Sequence, residues 1–466
     1  MTGMRLNYNA LAYSANNNLN AINSNLTKSM ERLSSGYKIN KASDDPAGKA
    51  ISQKMQAQIR GLDRATDNAN DGISLIQTAE GALNEVHSIL ARIRELAVKA
   101  ANETYDATDL DAIQDEITQL QEEIDRIAET TDFNGRKLLN GELNKKGYTN
   151  NDNLSIVEIG GDITPGEYGL IVTDAGRQAA TIIGVLEEDF VLSEEQAGTL
   201  VINDFEIELT KGMTGTEISA AIRDAGSRIG VEYDATTGVL KVEEAGTKHT
   251  LTVSSENEQL ARLLGVDGRT IYGTNAEVGF METDSDGKRI GFSESATISA
   301  QGNRITVTDD DGFKMVYDVE PESTPGEVTV TVLSAGPMVF QIGSDEGQVV
   351  NVNINKTTVE ALEIDKINIY THNAASEAIS KVDDAVSRIS SIRSLLGAYQ
   401  NRLEHTVTNL ETANENLNSS ISRIRDTDMA EEITTYTAQN VLAQSAMQML
   451  VKSNARPEGL LQLFQR

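Results

Sequence analysis

The chain has 466 residues, a formal net charge of −31 and no cysteine, so neither disulfides nor thiolate metal centres can form. An apolar content of 39% supports packed cores, and no run of 18 apolar residues offers a membrane span. The acidity lies in the middle, where residues 147–345 carry 35 Asp and Glu against 12 Lys and Arg; that balance argues against a nucleic-acid partner, which needs a basic face.

The first residues lack the charged start and continuous apolar core of a secretory signal, so export would use a route without a cleaved signal peptide. From Tyr8 the apolar positions Leu11, Ala15, Leu19, Ile22, Leu26, Met30 and Leu33 step by three and four, predicting a helix. Between Leu6 and Thr27 there is no charged residue. After a break at Ser34–Tyr37, Ser43 is the expected cap of a second helix, with Asp44 and Asp45 at its positive end and Pro46 in its first turn. Its seam runs from Ile51 to Ala97, and a third helix follows over Leu110–Ile127. Phe133-Asn134-Gly135 predicts a tight turn that ends helical order.

Residues 147–345 change to turn signals and alternating strands, predicting a β-rich insertion of one or two small domains with a boundary near 265–273. Leu200–Leu209 reads as a hairpin with Asn203-Asp204 at its tip, and Glu217–Ala225 as a short helix stopped by Gly226. Further strands are expected at Val231–Tyr233, Val239–Val242, Thr250–Val253, Arg304–Thr308, Phe313–Val319 and Val328–Val332. Helical spacing returns from Ile379 to Ile424 as another long seam. The last long segment, Ile433–Val451, is again free of charge, although it carries Ile433, Tyr436, Val441, Leu442, Met447, Met449 and Leu450. An uncharged, largely apolar helix needs a partner, and the two charge-free ends are candidates to bury each other. The predicted fold is therefore α+β and multidomain: a long coiled-coil bundle built from both termini, interrupted by the β-rich insertion. Its segments are a terminal helix and linker (1–42), the first part of the bundle (43–146), the insertion (147–345), the second part of the bundle (346–426) and a terminal helix (427–466).

Catalytic readings find no support. His87, His249, His372 and His405 are scattered, with no partner at metal-ligand spacing. Asp284-Ser285-Asp286-Gly287 and Asp309-Asp310-Asp311-Gly312 lack the closing Glu of a calcium loop and read as turn tips. Gly160-Gly161 and Gly212–Gly215 lack the context of a phosphate loop. No catalytic residue, metal ligand or cofactor site is predicted. Membrane-lying helices carry Lys or Arg on their polar face; Asn and Ser on Leu6–Thr27 instead suit a protein lattice, where amides and hydroxyls are satisfied across subunits. The residues favour a self-assembling structural subunit. Its expected polymerisation core is Leu6, Leu11, Leu19, Ile22 and Leu26 with Ile433, Tyr436, Val441, Leu442, Met449 and Leu450.

The blocks Ser34-Ser35-Gly36-Tyr37-Lys38-Ile39-Asn40 with Asp44-Asp45-Pro46-Ala47-Gly48, and Leu396–Leu403 with Ser422-Arg423-Ile424-Arg425-Asp426-Thr427-Asp428-Met429-Ala430, closely resemble bacterial flagellin, the filament subunit of the flagellum. Phe133-Asn134-Gly135, Leu138–Gly141 and Gln341–Gln348 resemble the exit and re-entry points around its variable insertion. The resemblance covers roughly 4–145 and 338–466, and Met1-Thr2-Gly3 precedes the family's usual start. It implies an extracellular filament, export through the flagellar type III apparatus with an export chaperone, polymerisation under a distal cap, and terminal helices that order on assembly. It also implies contact with hook-filament junction proteins and a surface read by the host Toll-like receptor for flagellin, at the matching positions Arg92, Leu96 and Glu116. A hook-filament junction protein, which resembles flagellin at both ends, is the rival reading.

Overall fold

The structure is a computed structural model that describes residues 9–102, 104–151, 153–160, 163–282, 289–309, 313–320, 325–333 and 336–464, with side chains to 456. Helices in chain order are α1 (Ala10–Ser35), α2 (Pro46–Ala100), α3 (Ala107–Thr130), α4 (Gly215–Arg228), α5 (Glu258–Leu264), α6 (His372–Arg425) and α7 (Met429–Phe464). The chain forms two compact units, one of residues 1–70, 341–349 and 404–466 and the other of 71–340 and 350–403.

In the first unit, Asn9 caps α1 by accepting the Ala12 amide at 3.1 Å, and Gly36 ends it at φ 72°. Asp45, rather than Ser43, caps α2: its Oδ1 accepts the amides of Ala47 and Gly48 at 3.1 and 3.0 Å. Ser43 stands three residues ahead of the first helical residue, Pro46, too far back to reach those amides. Asp44 closes the preceding loop instead, accepting from Asn40 and Lys41 at 3.2 and 2.8 Å. Leu62 and Ala65 of α2 pack with Leu410, Ala413 and Leu417 of α6.

In the second unit, α2, α3 and α6 form the bundle. Asp106 caps α3, accepting the Asp109 amide at 2.9 Å. Arg94 pairs with Asp383 at 2.6 Å and Glu80 with Arg393 at 3.9 Å, so α6 runs antiparallel to α2; α3 folds back on α2 through the short connection before Ala107, with Arg92 against Glu116 at 2.8 Å. Leu83, Val86, Leu90 and Ile93 of α2, Ile117 and Ile124 of α3, and Val382 and Ile389 of α6 are fully buried. The segment 350–371 is pinned to α3 by Gln114 Nε2 donating to the Ile367 carbonyl and by Asp125 accepting the Val359 amide, at 3.0 and 2.8 Å.

The β-rich part of this unit holds two separate cores. The first is a sandwich of two antiparallel four-stranded sheets. One has the order Glu277–Phe280, Gly166–Asp174, Gly326–Val332, Gly147–Thr149; the other is Thr297–Gln301, Arg304–Thr308, Lys314–Val319, Leu154–Ile159. Alternate residues such as Leu170, Val172, Val328, Val330, Ile305, Val307, Met315 and Tyr317 fill the space between them. The second core, within residues 178–272, has a three-stranded sheet (Gln178–Ile182, Val239–Ala245, Val231–Asp234) and a four-stranded one (Thr270–Tyr272, Thr250–Ser255, Gly198–Ile202, Phe205–Leu209), with α4 and α5.

This second subdomain is nested in the first. The chain leaves the sandwich at Asp174 and returns at Glu277, and those residues pair directly; the amide of each of Arg177 and Thr274 donates to the carbonyl of the other at 2.9 Å. The expected break near 265–273 thus falls beside the second of two crossings. The whole excursion closes where the Leu333 amide donates to the Lys146 carbonyl at 2.8 Å.

Asn134-Gly135 and Asn203-Asp204 are the predicted turns, with φ of 51° and 79° and of 45° and 67°. Gly226 does not stop its helix, which runs on to Arg228. A side chain at Gly226 would stand 2.4 Å from the Val231 carbonyl, so the glycine serves close approach of helix and strand. The strands at Gly147–Thr149, Leu154–Ile159, Gly166–Asp174, Gln178–Ile182, Thr270–Tyr272, Glu277–Phe280 and Thr297–Gln301 are not among those the sequence predicts.

Candidate functional site: the terminal helix pair

The helices α1 and α7 lie antiparallel. At one end Asn9 Nδ2 donates to the Ser453 carbonyl at 3.0 Å; at the other Arg32 and Glu432 form an ion pair of 3.6 Å. Beyond it the Lys38 amide donates to the Arg425 carbonyl at 2.7 Å and the Thr427 amide to the Gly36 carbonyl at 2.9 Å. Asp428 starts α7, its Oδ1 accepting the Ala430 amide at 2.9 Å.

Each helix turns one seam inward. On α1 the seam positions Ala12, Ala15, Leu19, Ile22, Leu26, Ser29 and Leu33 are buried or half-buried, with Glu31 and Arg32 half-buried beside them; on α7 they include Tyr436, Gln439, Ala443, Ala446, Leu450 and Ser453. Both follow three-four steps, the register of a coiled coil. The structure therefore brings together Leu19, Ile22, Leu26, Tyr436 and Leu450 of the predicted core. Leu6 lies outside the described residues. Leu11, Ile433, Val441, Leu442 and Met449 are off the seam and exposed, as are Tyr13, Met30, Met447 and Val451. Leu11 and Met30 yield their expected seam places to Ala12 and Ser29, because strict heptad register selects by position rather than by side-chain size.

The distribution on α7 is the informative part. At about 100° per residue, Ile433, Val441, Leu442, Met447 and Met449 spread over the arc that the α1 seam leaves open. Val441 is 58% and Met449 66% exposed. No charged residue interrupts Ile433–Val451. A helix apolar on every side is one that is covered on every side, whereas α1 covers only one.

Arg92 and Glu116 share an exposed face of the bundle, and Arg92 also reaches Glu95 at 2.8 Å. Hydrogen bonds to Glu95 and Glu116 raise the Arg92 guanidinium above its ordinary value. Leu96 does not belong to that face. It is 2% exposed, because the apolar stripe of α2 is wide enough to cover both neighbouring helices.

Of the histidines, His249 stands 3.1 Å from Glu244 and His372 Nδ1 2.9 Å from the Ala101 carbonyl. Among the described residues no group of three His, Asp or Glu side chains is placed to hold a metal ion, and no helix is long and apolar enough to cross a membrane. Asp284–Gly287, Asp310–Gly312 and Gly161 lie outside the described residues. Contacts such as Arg228 with Asp111, 117 residues apart at 2.8 Å, have no local signal by which the sequence could have announced them.

Residues 6–144 match the family model for the bacterial flagellin N-terminal helical region, and residues 379–464 that for the bacterial flagellin C-terminal helical region. The chain is 35% identical over 461 residues to a flagellin of Clostridium tyrobutyricum, covering 98% of this chain and all of that one. It is 33% identical over 462 residues to flagellin B of Vibrio cholerae, covering 99% of each. A solved structure of FliC from Burkholderia pseudomallei matches at 17% identity over 71% of this chain and 99% of its own, with a TM-score of 0.24.

Proposed function

The chain belongs to the bacterial flagellin family and is a structural subunit of the flagellar filament, and we propose that the α1/α7 pair is the surface through which it polymerises. The observation that carries this reading is the charge-free stretch Ile433–Val451 of α7, with apolar residues exposed round the arc that α1 does not cover. Neighbouring copies would remove those side chains from water at about 25 cal/mol per Å², and the Ser, Thr, Asn and Gln between them meet no buried charge. Leu11, Leu19, Ile22, Leu26, Ile433, Tyr436, Val441, Leu442, Met449 and Leu450 are the residues assigned to this core.

The relatives extend over 98–99% of the chain as flagellins, so the hook-filament junction reading is set aside. The subunit acts by assembly, without catalysis or cofactor, and reaches the outside of the cell through the flagellar export apparatus, with the cap, an export chaperone and junction proteins as further partners. The exposed Arg92–Glu116 pair is the part of the bundle offered to a host Toll-like receptor.

Seeded elongation tests the central claim. Purified subunit added to filament fragments should grow long tubes, and a chain truncated before Ile433 should not, while its β-rich insertion stays folded. Normal filaments from the truncated chain overturn the assignment of α7; growth of the full chain only into short rings restores the junction reading.

A further inference from the structure

The nested subdomain 178–272 touches the bundle through charges. Arg228, at the end of α4, places Nη1 2.8 and 2.9 Å from the two carboxylate oxygens of Asp111 on α3. The Tyr370 hydroxyl donates to the same carboxylate at 2.7 Å, and Asn368 Nδ2 donates to the Arg228 carbonyl. A second tie centres on Glu244, the penultimate residue of the strand Val239–Ala245. Lys381 of α6 lies 3.5 Å from it, Lys366 4.0 Å, and the subdomain's own His249 3.1 Å. Lys381 also reaches Glu377 at 3.4 Å. A third, lighter tie runs from Asn373 to Asp204 at 3.0 Å.

Between these ties lies a cleft of about 840 Å³ lined by side chains from both sides, including Gln114, Glu243, Lys248 and Lys366. The subdomain has a core of its own: its buried cluster, from Ala179 to Leu264, is drawn entirely from residues 179–264. Its covalent attachment is two strands crossing at Arg177 and Thr274. A body with its own core, a two-strand tether and a polar, loosely filled contact is held by interactions of the kind that salt screens.

We propose that Arg228–Asp111 and Glu244–Lys381 form an electrostatic latch that holds the nested subdomain closed on the bundle, and that its release lets the subdomain swing about the Arg177–Thr274 crossing. Closed, the subdomain partly covers Asp111, Tyr370 and Lys381. Open, it bares that face and stays held to the sandwich by the crossing and the adjoining Thr247–Asn275 and Lys248–Gln301 hydrogen bonds. The latch is a property of the subunit and does not depend on how α7 assembles.

The absence of native cysteine makes the test direct. Spin labels on Ser227→Cys and Thr108→Cys, both exposed and each close to one side of the Arg228–Asp111 tie, should broaden each other's spectra at low ionic strength. The broadening should fade in about 1 M salt, where the screening length is about 3 Å. In an Asp111→Asn/Lys381→Gln variant it should fade already at low salt, the open-to-closed ratio rising roughly tenfold or more. Amide exchange of Gly198–Ile202 and Thr250–Ser255 should be unchanged throughout. Broadening that survives both treatments overturns the latch, and so does its loss together with the protection of those core strands, which would mean unfolding rather than release.

Discussion

The Arg425 guanidinium stacks over the Tyr37 ring, 3.9 Å from its centre, where α6 ends and the segment after α1 begins. The same two short segments exchange the Lys38–Arg425 and Thr427–Gly36 backbone hydrogen bonds. The stack thus clamps the connection that sets α7 against α1. Tyr37→Ala or Arg425→Ala is expected to cost about 1 kcal/mol locally, visible as faster amide exchange at Lys38 and Thr427. Tyr37→Phe, which keeps the ring, should behave as wild type.

Placing a charge on the open arc of α7 separates assembly from folding. Val441→Glu and Met449→Glu lie at exposed positions, so the isolated subunit should change in stability by no more than about 0.5 kcal/mol. In a filament the same carboxylate would be buried without a partner, at a cost of several kcal/mol per ion. Seeded elongation followed by light scattering should fall to baseline for both variants, while Thr434→Ala, a polar change on the same helix, should elongate.

The face carrying Arg92 and Glu116 predicts a divergence between neighbours in sequence. Arg92→Ala removes exposed ion pairs and should cost under about 1 kcal/mol, while lowering activation of a flagellin-responsive receptor. Leu96→Ala opens the bundle core and should cost about 2–5 kcal/mol, read by thermal melting. If Arg92→Ala signals at full strength, the exposed pair is not the receptor contact.

Near the base of the sandwich, Glu363 accepts from Arg388 at 2.6 Å and faces Arg304 at 3.3 Å. Burial pushes its carboxyl up, but the hydrogen bond from Arg388 and the charges of both guanidinium groups outweigh burial and leave it below the ordinary carboxylate range. A depressed folded value means stability that is present above the unfolded value, near 4.3, and lost as pH falls through the folded one. Glu363→Gln should therefore be less stable than wild type at pH 7, by roughly 1 kcal/mol once solvent screening is allowed for. The gap should close progressively below about pH 4 in denaturant titrations run at stepped pH.

What the sequence disclosed follows the range of the forces involved. The seams of α2, α3 and α6 are legible because a helix repeats its buried face every three or four residues, and the turns at Asn134-Gly135 and Asn203-Asp204 because positive φ demands particular residues within a dipeptide. The cap of α2 is Asp45 and not the expected Ser43, because several good capping residues stand in a row there and only the geometry of the amides selects among them. Strands such as Gly166–Asp174, which opens with Gly and Glu, present no alternation at that end. The nesting was hidden for a different reason: Asp174 and Glu277 pair across about a hundred residues, and nothing near either one records the other. For the terminal pair, absence of charge marks Ile433–Val451, but which of its apolar residues meet α1 depends on heptad register: Tyr436 and Leu450 fall on the seam, while Val441, Leu442 and Met449 yield to Ala443 and Ala446.

The closure of the insertion at Lys146 and Leu333 also makes the β-rich excursion exchangeable. Because departure and return are one hydrogen bond apart, the backbone of the bundle spans a gap of fixed width, whereas side-chain ties such as Arg228–Asp111 and Glu244–Lys381 depend on what is folded beyond it. A foreign domain whose own ends adjoin would graft there without straining α3 or the segment leading to α6. The surface that such a subunit shows to its surroundings can therefore be rewritten while the backbones of α2, α3 and α6 stay as they are.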